Sequence, residues 1–402
     1  MISGSAGETK ATEPVKVPFF KSSIDESDID RVSEVLRTNF LTTGPVTAEL
    51  EAELAKYCGT AAGVGVMSCT SAMHLCLIAL GVGQGDEVIT TPMSFVATAN
   101  VICHVGARPV FVDVEPETGN LDAGRIEAAI TPATRAIMPV HLYGQLCDMT
   151  AIAEIAARHG LQIIEDAAHA IEGQRDGKGI GAHSAAACVS FYATKNITAG
   201  EGGAILTNDE ELAAELKQLR LHGMSADAAD RYTGLYRHYD VTEAGWKCNL
   251  SDAQAALALG QLLRIDDLLE KRTAAYDRYE VALGGMSGIE LMERREDSRH
   301  SCHLFTIRVD PEIRDAFLHG LQEREIGVAV NFRPIHLMEY YRRTFGFKED
   351  SFPIAEGIGA STISLPLHPR ITEAEQEAVI EAVRASLRLF HLAADASGGM
   401  AG

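Results

Sequence analysis

Positive charge is scarce in this sequence. Lys and Arg total 35 against 56 Asp and Glu, a formal net charge of −21 at pH 7. That balance argues against binding nucleic acid or an anionic membrane surface through a global positive field, so an anionic ligand must be met by local cations. No C-x-x-C pair occurs among the eight cysteines at 58, 69, 76, 103, 147, 188, 248 and 302. A chain this long needs no disulfides to hold a core, so they are expected as free thiols in a reducing cytosol. The first residues, MISGSAGETKATEPVK, contain no apolar run, so a secretory signal is not expected. Tyr57 to Gly85 carries no Asp, Glu, Lys or Arg over 29 residues. Its glycines and hydroxyl residues divide it into a strand, a polar turn and an eleven-residue helix, which excludes a membrane span. Internal repeats and low-complexity tracts are also absent.

What is present reads as a soluble globular protein. The 402 residues are 46% hydrophobic and 23% charged, enough for two or three domains with sizeable cores. From Val64 onward, short β-rich runs alternate with helical stretches: VGVMS, EVITT, PVFVDV, RAIMPVHL, QIIEDA, AACVSFYA and GGAILTN. Seven such runs predict an α/β domain with a largely parallel sheet covered on both faces. Ahead of them, Ser23 to Glu26 reads as a capping box opening a helix. After Leu250 one long helix, SDAQAALALGQLLRIDDLLEKRTAAYDRYEVAL, leads to a smaller α+β segment with strands at HLFTIRV, GVAVNF and STISLP. A second capping box, Thr372 to Glu375, opens the last helix, on which Val379, Ile380, Val383, Leu387 and Phe390 share one face. The expected division is a tail at 1–16, a large domain at 17–250, a small domain with its linking helix at 251–392, and a tail at 393–402.

The candidate chemistry lies at strand ends. Ser68-Cys-Thr70-Ser71 follows a strand and opens a helix, where unpaired amides and the helix dipole favour a phosphate; an ordinary N-cap is the plain alternative. GVGQGDEV at 81–88 places Asp86 where a dinucleotide fingerprint needs its third glycine, and it precedes a strand, so it is a loop. QIIEDAAHA ends a strand on Glu165 and Asp166, and open α/β sheets place ligands at that end. Asp166 either caps a helix or faces a cationic ring nitrogen. AACVSFYATK ends in Ser190 and Lys195 before a glycine-rich turn, a setting in which desolvation lowers a lysine pKa, as a Schiff-base lysine requires. Phosphate cradle, acid and lysine follow in the order a pyridoxal-phosphate enzyme needs. His300 and His303 in HSCH lack a second ligand pair and read as the start of a strand, with no metal site.

Taken together, FFKSSIDESDIDRVSEVLRTNFLTTGP, TPMSFVATANVICHVGARPVFVDV, EDAAHA, SFYATKNITAGEGGAI, GWKCNLSDAQAALALGQL and SLPLHP resemble, in order, the DegT/StrS family of nucleotide-sugar aminotransferases. The resemblance spans about residues 17 to 390. It implies a type I pyridoxal-phosphate-dependent aminotransferase fold, with a large domain on a mixed, mostly parallel seven-stranded sheet and a smaller C-terminal α+β domain. It also implies a homodimer that shares its active sites. Position by position, Lys195 would carry pyridoxal phosphate, with pyridoxamine phosphate as the intermediate form, and Asp166 would pair with the ring nitrogen. Phe95 would stack near the ring, Thr70, Ser71 and Ser190 would hold the phosphate, and Asn249 would reach it from the partner subunit. His169, at a position often occupied by glutamine, would lie beside the ring. Cys248, often aromatic, and Phe40, often tryptophan, depart from the common pattern. Thr42, Thr43 and His336 are substrate-side candidates, and Arg231, Lys247 and Arg333 are the candidate local cations.

The resemblance implies a cytoplasmic enzyme that transfers an amino group from L-glutamate to a nucleotide-linked keto sugar, with no nucleic-acid or membrane partner. Related dehydrating enzymes replace the lysine with histidine, which Lys195 argues against. A non-catalytic regulator sharing the fold is the reading from another class, and loss of Lys195 or Asp166 would have signalled it. The segment HGMSADAADRY…YDVTEAGWKCNLSD looks more like enzymes aminating carbon 4 of a 4-keto-6-deoxy sugar than those acting on carbon 3. A cyclitol ketone is a further alternative.

Overall fold

All seven apolar runs pair into one sheet. In the computed structural model, which describes residues 15–225 and 238–398, the strands lie in the order Ala62–Val66, Gly203–Thr207, Ala186–Ser190, Gln162–Asp166, Thr134–Met138, Glu87–Thr90, Arg108–Phe111. Neighbours from Ala186–Ser190 to Arg108–Phe111 are parallel. Gly203–Thr207 alone runs the other way, antiparallel to both its neighbours. Antiparallel strands accept a short connection where parallel ones need a crossover, and here the connection is the loop at 191–202 that carries Lys195. Phe191 pins its base, donating to the Gly202 carbonyl and accepting from the Ala199 amide, both at 2.9 Å.

Strand residues alternate between two apolar layers, as a twofold side-chain period demands. Val64, Val66, Cys188 and Ile205 pack beneath the helices Cys69–Ala79 and Glu210–Leu219, whereas Ala187, Val189, Ala204 and Leu206 face Pro45–Cys58 and Asp252–Leu262. A second core forms around the three-stranded antiparallel sheet Glu290–Leu291, Phe305–Arg308 and Thr362–Leu365, with Tyr279, Phe317 and Ile363 at its centre. Val379, Ile380, Val383 and Leu387 are buried there, with Phe390 packed against them, as the helical spacing predicts.

Several local expectations are corrected. The first helix is Glu26–Leu36, capped by Asp25 and Asp28 instead of Ser23 and Glu26. The Asp25 carboxylate accepts from the Ser27 and Asp28 amides, and Asp28 accepts from the Asp25 amide. The long helix after Leu250 is two, Asp252–Leu262 and Ile265–Leu283. Arg264 breaks it by turning its guanidinium back onto the Gly260 carbonyl and the Asp28 carboxylate, clamping the first helix. GVAVNF is no strand: only Ala329 pairs, exchanging both hydrogen bonds with Ser364, and Asn331 and Phe332 line a cavity instead. Val17 is fully buried in the second core, bridged to Ile326, although the expected boundary put it in the first domain. The last helix, Glu373–Gly398, continues past Leu392 into the segment expected as a tail, where AADA favours helix.

Gly203 sets how near the sheet comes to the helix that begins at Cys69. A Cβ there would lie 2.6 Å from the Cys69 amide nitrogen and 2.7 Å from the Val189 carbonyl oxygen. Both are backbone atoms and cannot step aside. Gly203→Ala is therefore expected to destabilise the protein by about 1–3 kcal/mol, the usual range for overpacking, read as a lower midpoint in urea denaturation.

Candidate active site

Adjacent strands deliver the reactive side chains to one end of the sheet. Gln162–Asp166 and Ala186–Ser190 pair with Asp166 opposite Cys188, and both end at a cavity of about 510 Å³. Asp166, Ser190 and Lys195 line it, together with Ser68 and Thr70 from the start of Cys69–Ala79, Phe95 and His169. Leu367 of the second core also lines it, with His303 and with Leu304 and Phe332 of a smaller apolar cluster that includes Met93 and Leu142.

Asp166 is 5% exposed. Its Oδ2 accepts a hydrogen bond from Thr98 Oγ1 at 2.7 Å and its Oδ1 one from the Ala168 amide at 3.2 Å. Turns, not a helix, follow it, so the capping alternative is excluded. The strand's period turns its neighbour Glu165 to the opposite face, where it accepts from Ser184 Oγ at 2.5 Å and meets His141 Nε2 at 2.7 Å. Two adjacent acids thus have separate work, one at the cavity and one holding the sheet's back face.

Lys195 opens onto the cavity from the turn after Phe191. Burial pushes its amine down to about 8, and the nearby Asp166 carboxylate and Cys69 hold it from falling further. About one amine in ten is then neutral at pH 7, far more than for a solvated lysine, as nucleophilic amine chemistry needs. His169 Nδ1 accepts the Tyr143 amide at 3.3 Å, and its ring stacks on Phe332 with centroids 5.9 Å apart. His303 packs on His169 at 4.3 Å and its Nδ1 meets Asn196 Oδ1 at 2.9 Å. Burial, and for both the nearby Lys195, pushes these imidazoles well below the usual histidine range, so they are neutral. Among the described lining residues Lys195 is the one lysine or arginine. An anion in this cavity would otherwise meet hydroxyl groups and the amides at the start of Cys69–Ala79.

Other expected residues lie elsewhere. Ser71 does not line the cavity; its amide and hydroxyl bond to Ser68 Oγ, which caps the helix. Thr42, Thr43, Lys247 and Asn249 form a cluster of their own outside this cavity. Asn249 Nδ2 donates to Thr43 Oγ1 at 2.6 Å and to Thr42 Oγ1 at 3.3 Å, and Lys247 donates to Asn249 Oδ1. Arg333 is exposed, beside Leu337, Glu339, Arg342 and Arg343. His336 is corrected: it is fully buried, bonded to Glu356 at 2.9 Å and packed on Phe352, and so is a strut away from the cavity. Arg231 lies outside the described residues. Thr98, Tyr192, His303 and Phe332 were not singled out as site residues. Thr98 had a signal, being three residues beyond Phe95 on the same helix start, but His303 and Phe332 reach the site only when the C-terminal segments fold against the sheet domain.

A buried carboxylate at a strand end, a lysine kept partly neutral, a helix start rich in hydroxyl groups and an exposed aromatic face at Phe95 suit a phosphorylated, cationic pyridine aldehyde. The profile of the DegT/DnrJ/EryC1/StrS aminotransferase family matches residues 22–384. The chain belongs to that family. It is 43% identical over 375 residues to the spore coat polysaccharide biosynthesis protein SpsC of Bacillus subtilis, covering 92% of this chain and 96% of SpsC. Among solved structures, DesV of S. venezuelae in complex with a ketimine intermediate aligns at 36% identity with TM-score 0.85, over 92% of this chain and 98% of DesV. Spr1654 of Streptococcus pneumoniae, in its PLP form, aligns at 33% identity with TM-score 0.87, over 92% and 98%. This aminotransferase is therefore pyridoxal-phosphate-dependent, with the fold expected of its family of sugar aminotransferases. Among the described residues no helix is long and apolar enough to cross a membrane.

Among the described residues, the Thr98 hydroxyl is the one side chain that donates a short hydrogen bond to Asp166 in the aminotransferase. Thr98→Val keeps the shape and removes the donor. Hydrogen bonds to charged groups contribute about 1.5–3 kcal/mol, so affinity for pyridoxal phosphate, followed by absorbance titration, is expected to fall roughly tenfold or more, with Thr98→Ser close to wild type.

Proposed function

We propose that this aminotransferase converts the keto group at carbon 4 of a nucleotide-linked 4-keto-6-deoxy sugar to an amine, with L-glutamate as amino donor. The observation that carries the reading is that Lys195 and Asp166 open onto one cavity, the amine lowered to about 8 by burial. Bound pyridoxal phosphate supplies the electron-withdrawing ring that acidifies the hydrogen on the amino-bearing carbon. Lys195 Nζ takes that proton as general base and returns it as general acid, once for the donor and once for the sugar. Asp166, held by Thr98, would pair with the ring nitrogen. Thr70, Ser190 and the amides at the helix start would hold the phosphate, Phe95 would cover the ring, and His169 would lie beside it.

Carbon 4 is preferred because of the likeness of the segment from His222 to Asp252 to enzymes acting there. A homodimer is supported by the cluster of Thr42, Thr43, Lys247 and Asn249, which is ordered by its own hydrogen bonds but does not line its own cavity. Around it Leu41, Met67, Val241 and Trp246 are exposed apolar side chains. In our reading a second copy covers that face and lends Asn249 to the phosphate, with Lys247 and Arg231 meeting the sugar's diphosphate. Eight free cysteines suit a cytoplasmic location.

Adding L-glutamate to the yellow, cofactor-loaded protein should convert its visible band to the pyridoxamine form. That form, offered UDP-, dTDP- and GDP-linked 4-keto-6-deoxy sugars, 3-keto sugars and scyllo-inosose in parallel, should aminate a 4-keto sugar by mass spectrometry. Amination of only a 3-keto sugar or the cyclitol would overturn the carbon-4 assignment. Lys195→Ala should lose turnover by more than about 10³-fold while remaining folded by circular dichroism. Uptake of pyridoxal phosphate by the apoprotein needs the neutral Lys195 amine, which predominates above its pKa. The uptake rate should therefore rise with pH to a midpoint near 8 and then level off; a midpoint near that of a solvated lysine would refute the role given to burial.

A further inference from the structure

Beside the main cavity, sharing Thr194, Lys195, His303 and Leu367 with it, lies a small pocket of about 20 Å³ that Asn196, Arg272 and His368 also line. Arg272 is 2% exposed and His368 1% exposed. Among the described residues three of their nitrogen atoms find no hydrogen-bond partner: Nη1 of Arg272 and both Nδ1 and Nε2 of His368. The rest of Arg272 is engaged, with Nη2 donating to Glu172 and Nε reaching the Ser301 carbonyl at 3.4 Å. Burial pushes His368 down to about 4, leaving a neutral ring with one donor and one acceptor nitrogen. Buried polar atoms without partners are rare and costly, and one ordered water needs roughly 10–15 Å³ and two to four polar neighbours.

We propose that this pocket is a binding site for a single structural water, held by Arg272 and His368, that serves as hydrogen-bond partner to the Lys195 amine. The size excludes a carboxylate or phosphate, and the pairing of Arg272 with Glu172 removes the net charge that would favour a small anion. Arg272 can only donate, so the water accepts from it and keeps two hydrogens and a lone pair for His368 and Lys195. Such a water solvates the lysine in either protonation state. The amine thus has a polar resting place whenever it is not engaged on the cavity side. The titratable groups that act on the amine or feel its charge are Asp166 and Cys69 from the sheet and helix start and the neutral His169 and His303, while Arg272 and His368 line the small pocket with it. His368 and Arg272 are on this reading positioning residues acting through the water.

The inference rests on Lys195 being the cofactor lysine, and its tests separate from the sugar assay. A crystal structure of the wild-type protein at a resolution where other buried waters are visible should show one water within hydrogen-bond distance of Arg272 Nη1 and His368. An empty pocket there would overturn the proposal, whatever sugar the enzyme aminates. His368→Leu should expel the water and desolvate the ammonium further, which moves the midpoint of the apoprotein's uptake profile to lower pH than wild type. His368→Gln, which keeps a donor and an acceptor, should restore it. A His368→Leu protein that folds and keeps the wild-type midpoint would show that the water does not serve Lys195.

Discussion

Partial withdrawal of the half-buried Lys195 amine from water is the constraint on which this site depends. An exposed lysine beside a carboxylate would stay protonated and inert, whereas burial without the carboxylate would empty the site of positive charge. The balance reached, from 10.5 to about 8, corresponds to roughly 3 kcal/mol of disfavoured ammonium. That energy is supplied by the packing around the 191–202 loop, so the second core and the smaller cluster beside it matter to the chemistry although few of their residues take part. Leu304, Phe332 and Leu367 supply the apolar wall that keeps solvent from the amine.

The carboxylate side of the balance comes from the sheet. Parallel strands place their carboxyl ends together, so Asp166 and Ser190 arrive at one edge without any long-range instruction beyond pairing. The one reversed strand, Gly203–Thr207, then brings the lysine loop back over that edge, and Gly203 lets the start of Cys69–Ala79 close in against it. Period-two alternation separates Asp166 from Glu165 as sharply as distance would. Glu165, with His141 and Ser184, holds the far face while Asp166 faces the cofactor site.

From the cavity a buried polar chain runs inward, from His169 stacked on His303, through Asn196, to Glu172 and Arg272. It links the sheet domain to the helix Ile265–Leu283 and so couples lysine placement to the packing of the second core. Interior polar groups of this kind are costly unless each has a partner, and among the described residues Arg272 Nη1 and both ring nitrogens of His368 are left over at the small pocket beside Lys195.

The sequence by itself determined the parts whose geometry is local. Seven apolar runs, the acid ending QIIED, the lysine after AACVSFYAT and the hydroxyl residues before an apolar helix all follow from neighbours a few residues apart, and so were legible, as was the family through their order. Local reading went wrong where a distant side chain decided. Asp28 caps the first helix while bound to Arg264, and Arg264 in turn breaks a helix that periodicity draws as continuous. Ser68 lines the cavity, while Ser71 is bonded to Ser68 Oγ within the helix start. His336 looked like a substrate contact in FRPIHLMEYYR, yet Glu356 and Phe352 bury it completely. Thr98, His303 and Phe332 acquire their places only when separate segments meet. Strand order, the reversed strand and the wall from the second core were likewise settled by the tertiary structure, because desolvation and close packing are properties of the assembled volume and leave no periodic trace along the chain.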